Sequence, residues 1–349
     1  MILNRTNVDT TQQPIFLGEP LGLQRYDRYK YPVFMDLFNK QMVCFWRPEE
    51  INLMLDRGQF QELSEHEKFI FTKNLLFQTM LDSVVSRGVP TFTKHVSLPE
   101  VELCFNTWSF FESIHSYSYS YIIQNVYSNP TNILDQALED KEILARADSV
   151  TKAYEDLASS TLNLKEKIYL SLISVNILEA IRFYVSFVCA FAFAENKKMI
   201  GNADVIKLIK RDEALHLTTT QTLLKILRDE PSEGFQEVIR SKQSEAIAMF
   251  AEAAEEEKRW ASYLFQHGSM MGLNAEILHK YIEWLTDSRL TTLGFNKLFG
   301  TKNPIMGWTE PYFNSQAVQP APQETDITSY IKNSTVNDIE DMDFGVLTL

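Results

Sequence analysis

The chain is short of helix breakers. It has 12 glycines and 12 prolines in 349 residues, and between residues 100 and 303 the only prolines are Pro130 and Pro231. That scarcity leaves few sites for tight hairpin turns, and no alternating strand series or internal repeat is visible, so an all-α helical bundle is the economical fold. Cysteine is scarce as well. Cys44, Cys104 and Cys189 are scattered with no C-x-x-C spacing, which excludes a recognisable dithiol or cysteine zinc site and fits a reducing, cytoplasmic compartment. Positive charge is in deficit, with 33 Lys+Arg against 46 Asp+Glu and a net charge of −13. This balance argues against nucleic-acid and anionic-membrane partners and suits a chain that collects cations. The longest apolar run, FYVSFVCAFAFA at 183–194, is too short to span a bilayer. The N-terminal MILNRTNVDTTQQP has no charged-then-apolar signal pattern. A soluble protein is expected.

What is present is helical punctuation. Ser64-Glu-His-Glu67 reads as a capping box ahead of KFIFTKNLLFQTMLDSVVSR, with Arg87-Gly88 closing the segment. Ser97-Leu-Pro-Glu100 reads as a second box, opening a run that ends at Asn129-Pro130. Further helical runs are expected at about 133–157, 164–199, 202–228, 234–267 and 274–290. The organisation expected is an N-terminal extension at 1–24, a helical domain at 25–313 and a tail at 314–349. That tail is polar and acidic until a terminal FGVLTL, a composition that cannot bury enough surface to fold alone. Its Tyr330 and apolar end suggest a docking motif.

Residues 115–121 read HSYSYSY, an alternation that resembles a strand inside a helical run. With Glu112 at zero on a helical wheel, His115 falls near 300° and Tyr119 near 340°, whereas Tyr117 lies near 140° and Tyr121 near 180°. Only Tyr119 shares the Glu112/His115 face.

Glu112-Ser-Ile-His115 is an E-x-x-H, and Glu213-Ala-Leu-His216 is a second. One copy is weak, since Glu and His often meet at this spacing on solvated faces. Two copies in a chain with six histidines, both amid apolar helical sequence, are stronger. His66, His95, His267 and His279 have more polar surroundings and read as surface or loop residues. Bundle di-metal sites take one further carboxylate from each of two other helices. Asp82 and Glu179 are acids within apolar helices, and burying either without a partner costs several kcal/mol. Arg182 could serve Glu179 as a salt-bridge partner, whereas Asp82 has no basic residue one turn away. Four carboxylates balance two divalent cations, and oxygen-rich ligation with one imidazole per ion suits iron or manganese.

These residues resemble the small, radical-generating subunit of class I ribonucleotide reductase, a ferritin-like di-iron carboxylate family. The resemblance runs from RYDRYKYP at 25–32 to the tail. It is most specific in FWRPEE (45–50), WSFFESIHSYSYSYI, LEAIRFYVSF (178–187), RDEALH (211–216) and APQE…SYI (321–331). It implies two iron ions per chain, with manganese accepted by the same ligands. Asp82, Glu112 and His115 bind one ion in that family's pattern and Glu179, Glu213 and His216 the other, with bridging carboxylates. Tyr119 matches the tyrosine converted by dioxygen chemistry to a stable radical. Trp46 matches the tryptophan of the electron route, Asp212 the acid linking it to a metal-bound histidine, Tyr330 the tail relay and Glu324 its acidic helper. The resemblance implies a large-subunit partner docked through the tail, and a homodimer; Phe183 and Phe187 read first as plain core packing, and with Ile209 they would wall Tyr119 from solvent. The compact stretch between Pro130 and residue 164, and Tyr117 and Tyr121 beside Tyr119, depart from the family pattern. On the ligand set alone, a di-metal oxidase or an iron-storage bundle is an alternative, and a purely structural scaffold would leave Asp82 and Glu179 buried without cause.

Overall fold

The computed structural model describes residues 4–304, 306–309 and 312. Their helices are α1 (Val33–Val43), α2 (Met54–Glu62), α3 (Glu65–Gly88), α4 (Pro90–Thr93), α5 (Pro99–Val126), α6 (Pro130–Asp135), α7 (Lys141–Ser159), α8 (Leu164–Ile177), α9 (Tyr184–Glu195), α10 (Ile200–Asp229), α11 (Gln236–Leu264) and α12 (Ala275–Thr292). No strand occurs among the described residues, and extended pairing is limited to the bridges Phe16–Val96 and Met270–Leu273. The all-α expectation therefore holds. Lengthwise packing of α3 on α5, and of α10 on α8 and α9, forms the centre, while α7, α11 and α12 cover one side.

Local chemistry explains the helix starts. Ser64 and Glu67 form the expected box: the Ser64 N–H and hydroxyl donate to the Glu67 carboxylate at 2.9 and 2.7 Å. The second expected box does not form. Leu98, not Ser97, caps α5, and Pro99 supplies the first turn. Ser97 Oγ instead accepts from the Gly18 N–H at 2.7 Å. Glu100 is buried and accepts from the N–H groups of Lys30 and Tyr31 at 3.0 and 3.2 Å. A proline already satisfies the first turn by lacking an N–H, so these two side chains are free to pin the N-terminal segment. Ile15 and Phe16 of that segment are buried against the bundle.

Two expected helices are interrupted. Asp140 breaks the 133–157 run by capping α7 through the N–H groups of Glu142 and Ile143 at 2.9 and 3.2 Å. The 164–199 run is broken by a π-turn at Leu178–Arg182, which carries Glu179. Single π-turns inside α-helices occur frequently at functional sites. By length and composition the stretch Leu164–Glu195 could cross a membrane, but 94% of its most apolar window is buried inside the bundle. Its all-round apolarity is that of a core helix.

Candidate metal centre

The six residues with ligand chemistry converge from four directions. Asp82 comes from α3, Glu112 and His115 from α5, Glu179 from the π-turn, and Glu213 and His216 from α10. Each is at most 1% exposed. Their ligand atoms form two overlapping groups, Asp82–Glu112–His115–Glu213 and Glu112–Glu179–Glu213–His216, within each of which all atoms lie inside 4.8 Å. Glu112 and Glu213 belong to both groups, the positions that bridging carboxylates require. His115 Nδ1 lies 3.1 Å from Glu213 and 3.5 Å from Glu112. His216 Nδ1 lies 2.9 Å from Glu112 and 3.0 Å from Glu213. None of the other four histidines is buried.

The donor set fits cations. Both oxygens of Asp82, both of Glu179, one each of Glu112 and Glu213, Nδ1 of His115 and Nε2 of His216 are buried without a hydrogen-bond partner. Such atoms are rare in folded proteins and costly. The protein alone would have to fill the centre with protons. Burial, then the charges of Glu112 and Glu213, hold the Asp82 carboxyl well above its usual range. Burial and Glu213 do the same to Glu179. Burial opposes a charge on His216, yet Glu112 and Glu213 lift its imidazole to about 9. His115 is likewise raised, against its own burial, by Glu213 and Asp212. Divalent ions replace those protons naturally, because ligands must deprotonate to bind them.

Arg182 does not serve Glu179. Its guanidinium turns to α11, 2.6 Å from Glu256 and 3.9 Å from Glu257, and donates to Ser149 Oγ at 2.9 Å. Residues three apart on an α-helix are separated by roughly 60° around the axis, and the wider π-turn increases that separation. The carboxylate and the guanidinium thus leave the same turn in different directions.

Tyr119 is fully buried, whereas Tyr117 is 49% exposed and donates to Glu49 at 2.6 Å. Tyr121 is half-buried. The Tyr119 hydroxyl has no partner of normal hydrogen-bond geometry. Burial, then the nearby charges of Asp82 and Glu213, hold its phenol well above the ordinary range, so it keeps its proton. Phe183, Phe187 and Ile209 are all fully buried.

On the opposite side of His115 a buried hydrogen-bonded chain runs to Trp46. Trp46 is fully buried, and its indole N–H donates to Asp212 Oδ2 at 2.7 Å. The same oxygen lies 3.2 Å from His115 Nε2, which leaves Nδ1 directed at the carboxylates. The Trp46 and His115 rings are 6.4 Å apart and nearly parallel. One participant escaped the sequence reading. Trp108 donates to Glu112 Oε1 at 2.7 Å and stacks on His216 with centroids 5.0 Å apart. Its spacing of four residues from Glu112 was the available signal. Glu324, Tyr330 and the terminal FGVLTL lie outside the described residues.

Comparison with known proteins gives the family. The family model "Ribonucleotide reductase, small chain" matches residues 24–304. The ribonucleoside-diphosphate reductase subunit beta of Buchnera aphidicola subsp. Schizaphis graminum is 45% identical over 358 residues, covering 95% of each chain. A solved ribonucleotide reductase R2 subunit from Clostridium botulinum has a TM-score of 0.82 at 30% identity, covering 90% of this chain and 98% of its own. The Streptococcus sanguinis dimanganese(II)-NrdF, at 21% identity and a TM-score of 0.68 over 86% of this chain and 99% of its own, shares the fold. The chain belongs to the ribonucleotide reductase small-chain family, as a small subunit of a ribonucleoside-diphosphate reductase.

Proposed function

We propose that the buried cluster holds two iron ions and that Tyr119 is the residue oxidised to a stable radical. Asp82, Glu112 and His115 hold one ion, and Glu179, Glu213 and His216 the other. Manganese is accommodated by the same oxygen-rich set with one imidazole per ion. When bound, the ion pair supplies, with dioxygen, the oxidising power that takes one electron from Tyr119. The phenolic proton leaves at the same time, and the Asp82 carboxylate is the base that faces it. Burial excludes water and reductants from the product. A small subunit works with a large one, and the radical would leave by electron return: the Tyr119 radical takes an electron from Trp46 and its proton back from Asp82, Tyr330 re-reduces the oxidised Trp46, and a cysteine of the large subunit re-reduces Tyr330. Asp212 lets a proton move between the Trp46 indole and His115 along the same two bonds as the charge shifts. Docking through the tail, with Glu324 assisting Tyr330, homodimerisation and a cytoplasmic location complete the reading.

The observation that carries it is the joining of Trp46, through Asp212 alone, to an imidazole of the cluster that also faces Tyr119. A plain oxidase or an iron store has no use for that relay. The test is an electron paramagnetic resonance spectrum after ferrous iron and oxygen are added to metal-free protein. A tyrosyl signal coupled to a metal pair, absent in Tyr119→Phe with metal uptake retained, supports the assignment. Iron oxidation without any organic radical sinks it in favour of an oxidase or store. Truncation after Gln323 should keep the signal and abolish turnover with the large subunit; sustained turnover would refute the tail's role.

A further inference from the structure

The metal centre uses one side of α5 and leaves Tyr117 without an assigned role. Tyr117 lies on the side of α5 away from His115 and Tyr119 and is 49% exposed. Phe110, two turns earlier on the same side, is 51% exposed. Both side chains reach one short segment, residues 45–49. The Phe110 ring stacks on Phe45 with centroids 6.2 Å apart and planes inclined by 16°. The Tyr117 hydroxyl donates to Glu49 Oε1 at 2.6 Å. Between those two anchors sits Trp46, fully buried. The segment is tightened further by Arg47, whose Nε lies 3.4 Å from the other Glu49 oxygen and whose N–H donates to Glu50 at 3.1 Å across the short turn Pro48–Glu50.

Helix α5 thus holds the segment from outside and meets it again inside, where the Trp46 ring lies 6.4 Å from that of His115. The Tyr117 bond is charge-assisted, the stronger class of hydrogen bond. It is the first cause that lowers the Glu49 carboxyl and raises the Tyr117 phenol. The Trp46–Asp212 bond of 2.7 Å tolerates little misalignment, since hydrogen bonds weaken steeply at poor angles. A side chain carried on a connecting segment keeps such a geometry only when a rigid element supports it. We propose that Tyr117 is a positioning residue for Trp46: with Phe110 it clamps residues 45–49 to α5, and the clamp keeps the indole N–H on Asp212. The consequence for turnover rests on the reading of Trp46 as the electron route; the clamp itself does not.

Hydrogen exchange of the indole N–H groups, followed by nuclear magnetic resonance, tests the clamp in metal-free full-length protein carrying isotope-labelled tryptophan. The Trp46 signal is assigned by its absence in Trp46→Phe. In Tyr117→Phe, which removes one hydroxyl, exchange at Trp46 should quicken by at least about threefold, while Trp108 and Trp260 keep the parent rate. Glu49→Leu should reproduce that change, and the double variant should go no further than either single one, because both remove the same bond. Unchanged exchange at Trp46, equal quickening at all three indoles, or fully additive effects overturn the proposal. With the large subunit, the rate at saturation should fall in Tyr117→Phe, while the half-saturating concentration and the Tyr119 radical signal are kept. Quickened exchange at Trp46 alone with full turnover upholds the clamp and sinks Trp46 as the electron route instead.

Discussion

Two buried charge clusters flank the π-turn at Leu178–Arg182, and they are built on opposite rules. Around Arg146, Arg182, Glu256 and Glu257, two guanidiniums meet two carboxylates. Arg146 pairs with Glu257 and Arg182 with both acids. Arg146 also lies 3.7 Å over the Phe77 ring and 4.6 Å over that of Trp260. Burial lowers Arg146 to about 10 and raises Glu257, yet the formal charges cancel. Around Asp82, Glu112, Glu179 and Glu213, four carboxylates meet two imidazoles; partnerless atoms occur in both clusters, but only here do the carboxylates outnumber the permanently charged cations, of which there are none. A balanced buried cluster explains itself as architecture. An unbalanced one implies a missing positive species, and that distinction separates the structural cluster from the site.

The comparison can be broken from either side. The largest effect is expected on the balanced side: Arg146→Met leaves Glu257 buried without its main partner and should cost about 3–5 kcal/mol in urea unfolding. Combining it with Glu257→Leu should recover most of that loss, since replacing a whole buried pair by apolar residues is often near neutral. A double variant as unstable as the single one would show that these charges are not a unit. On the unbalanced side the sign should reverse. Glu179→Gln, tested without metal, removes a carboxyl that folding forces to hold a proton, and should stabilise the fold by about 1–3 kcal/mol. Metal analysis of the same variant should fall from two ions per chain toward one. A destabilised metal-free variant would mean that Glu179 already has a partner within the protein.

The pH response sharpens the contrast further. His216 is raised to about 9 in the fold against about 6.5 unfolded. Its stabilising contribution is therefore complete below about 6.5 and lost as pH rises through about 9. Asp82 and Glu179 are also raised, so their proton binding works in the same direction. Thermal unfolding of metal-free protein should drop over this window, and metal-loaded protein should lose much less; parallel curves would contradict the arrangement.

Much of the candidate ligand cluster was legible because helical spacing is local. The two E-x-x-H pairs, the position of Tyr119 on their face and the lack of any basic neighbour for Asp82 follow from steps of three, four and seven residues. The Ser97 box misled for a related reason: its pattern was right, but Gly18 and the Lys30–Tyr31 backbone competed for the same side chains. Arg182 misled through geometry, since its partnership with Glu179 assumed an α-turn where the chain makes a wider one.

The sequence by itself determined the all-α class, the acidic helices and the residue types capable of holding two cations. Those properties depend on composition and on periodicities that a helix imposes wherever it forms. Only the tertiary structure decided that Glu112 and Glu213 stand in both ligand groups, that Trp108 holds Glu112, and that Tyr117 reaches Glu49. It also brought Trp46 to Asp212 across 166 positions of the chain. Such contacts are set by how helices cross and by which π-turn redirects a side chain, and no local spacing encodes either.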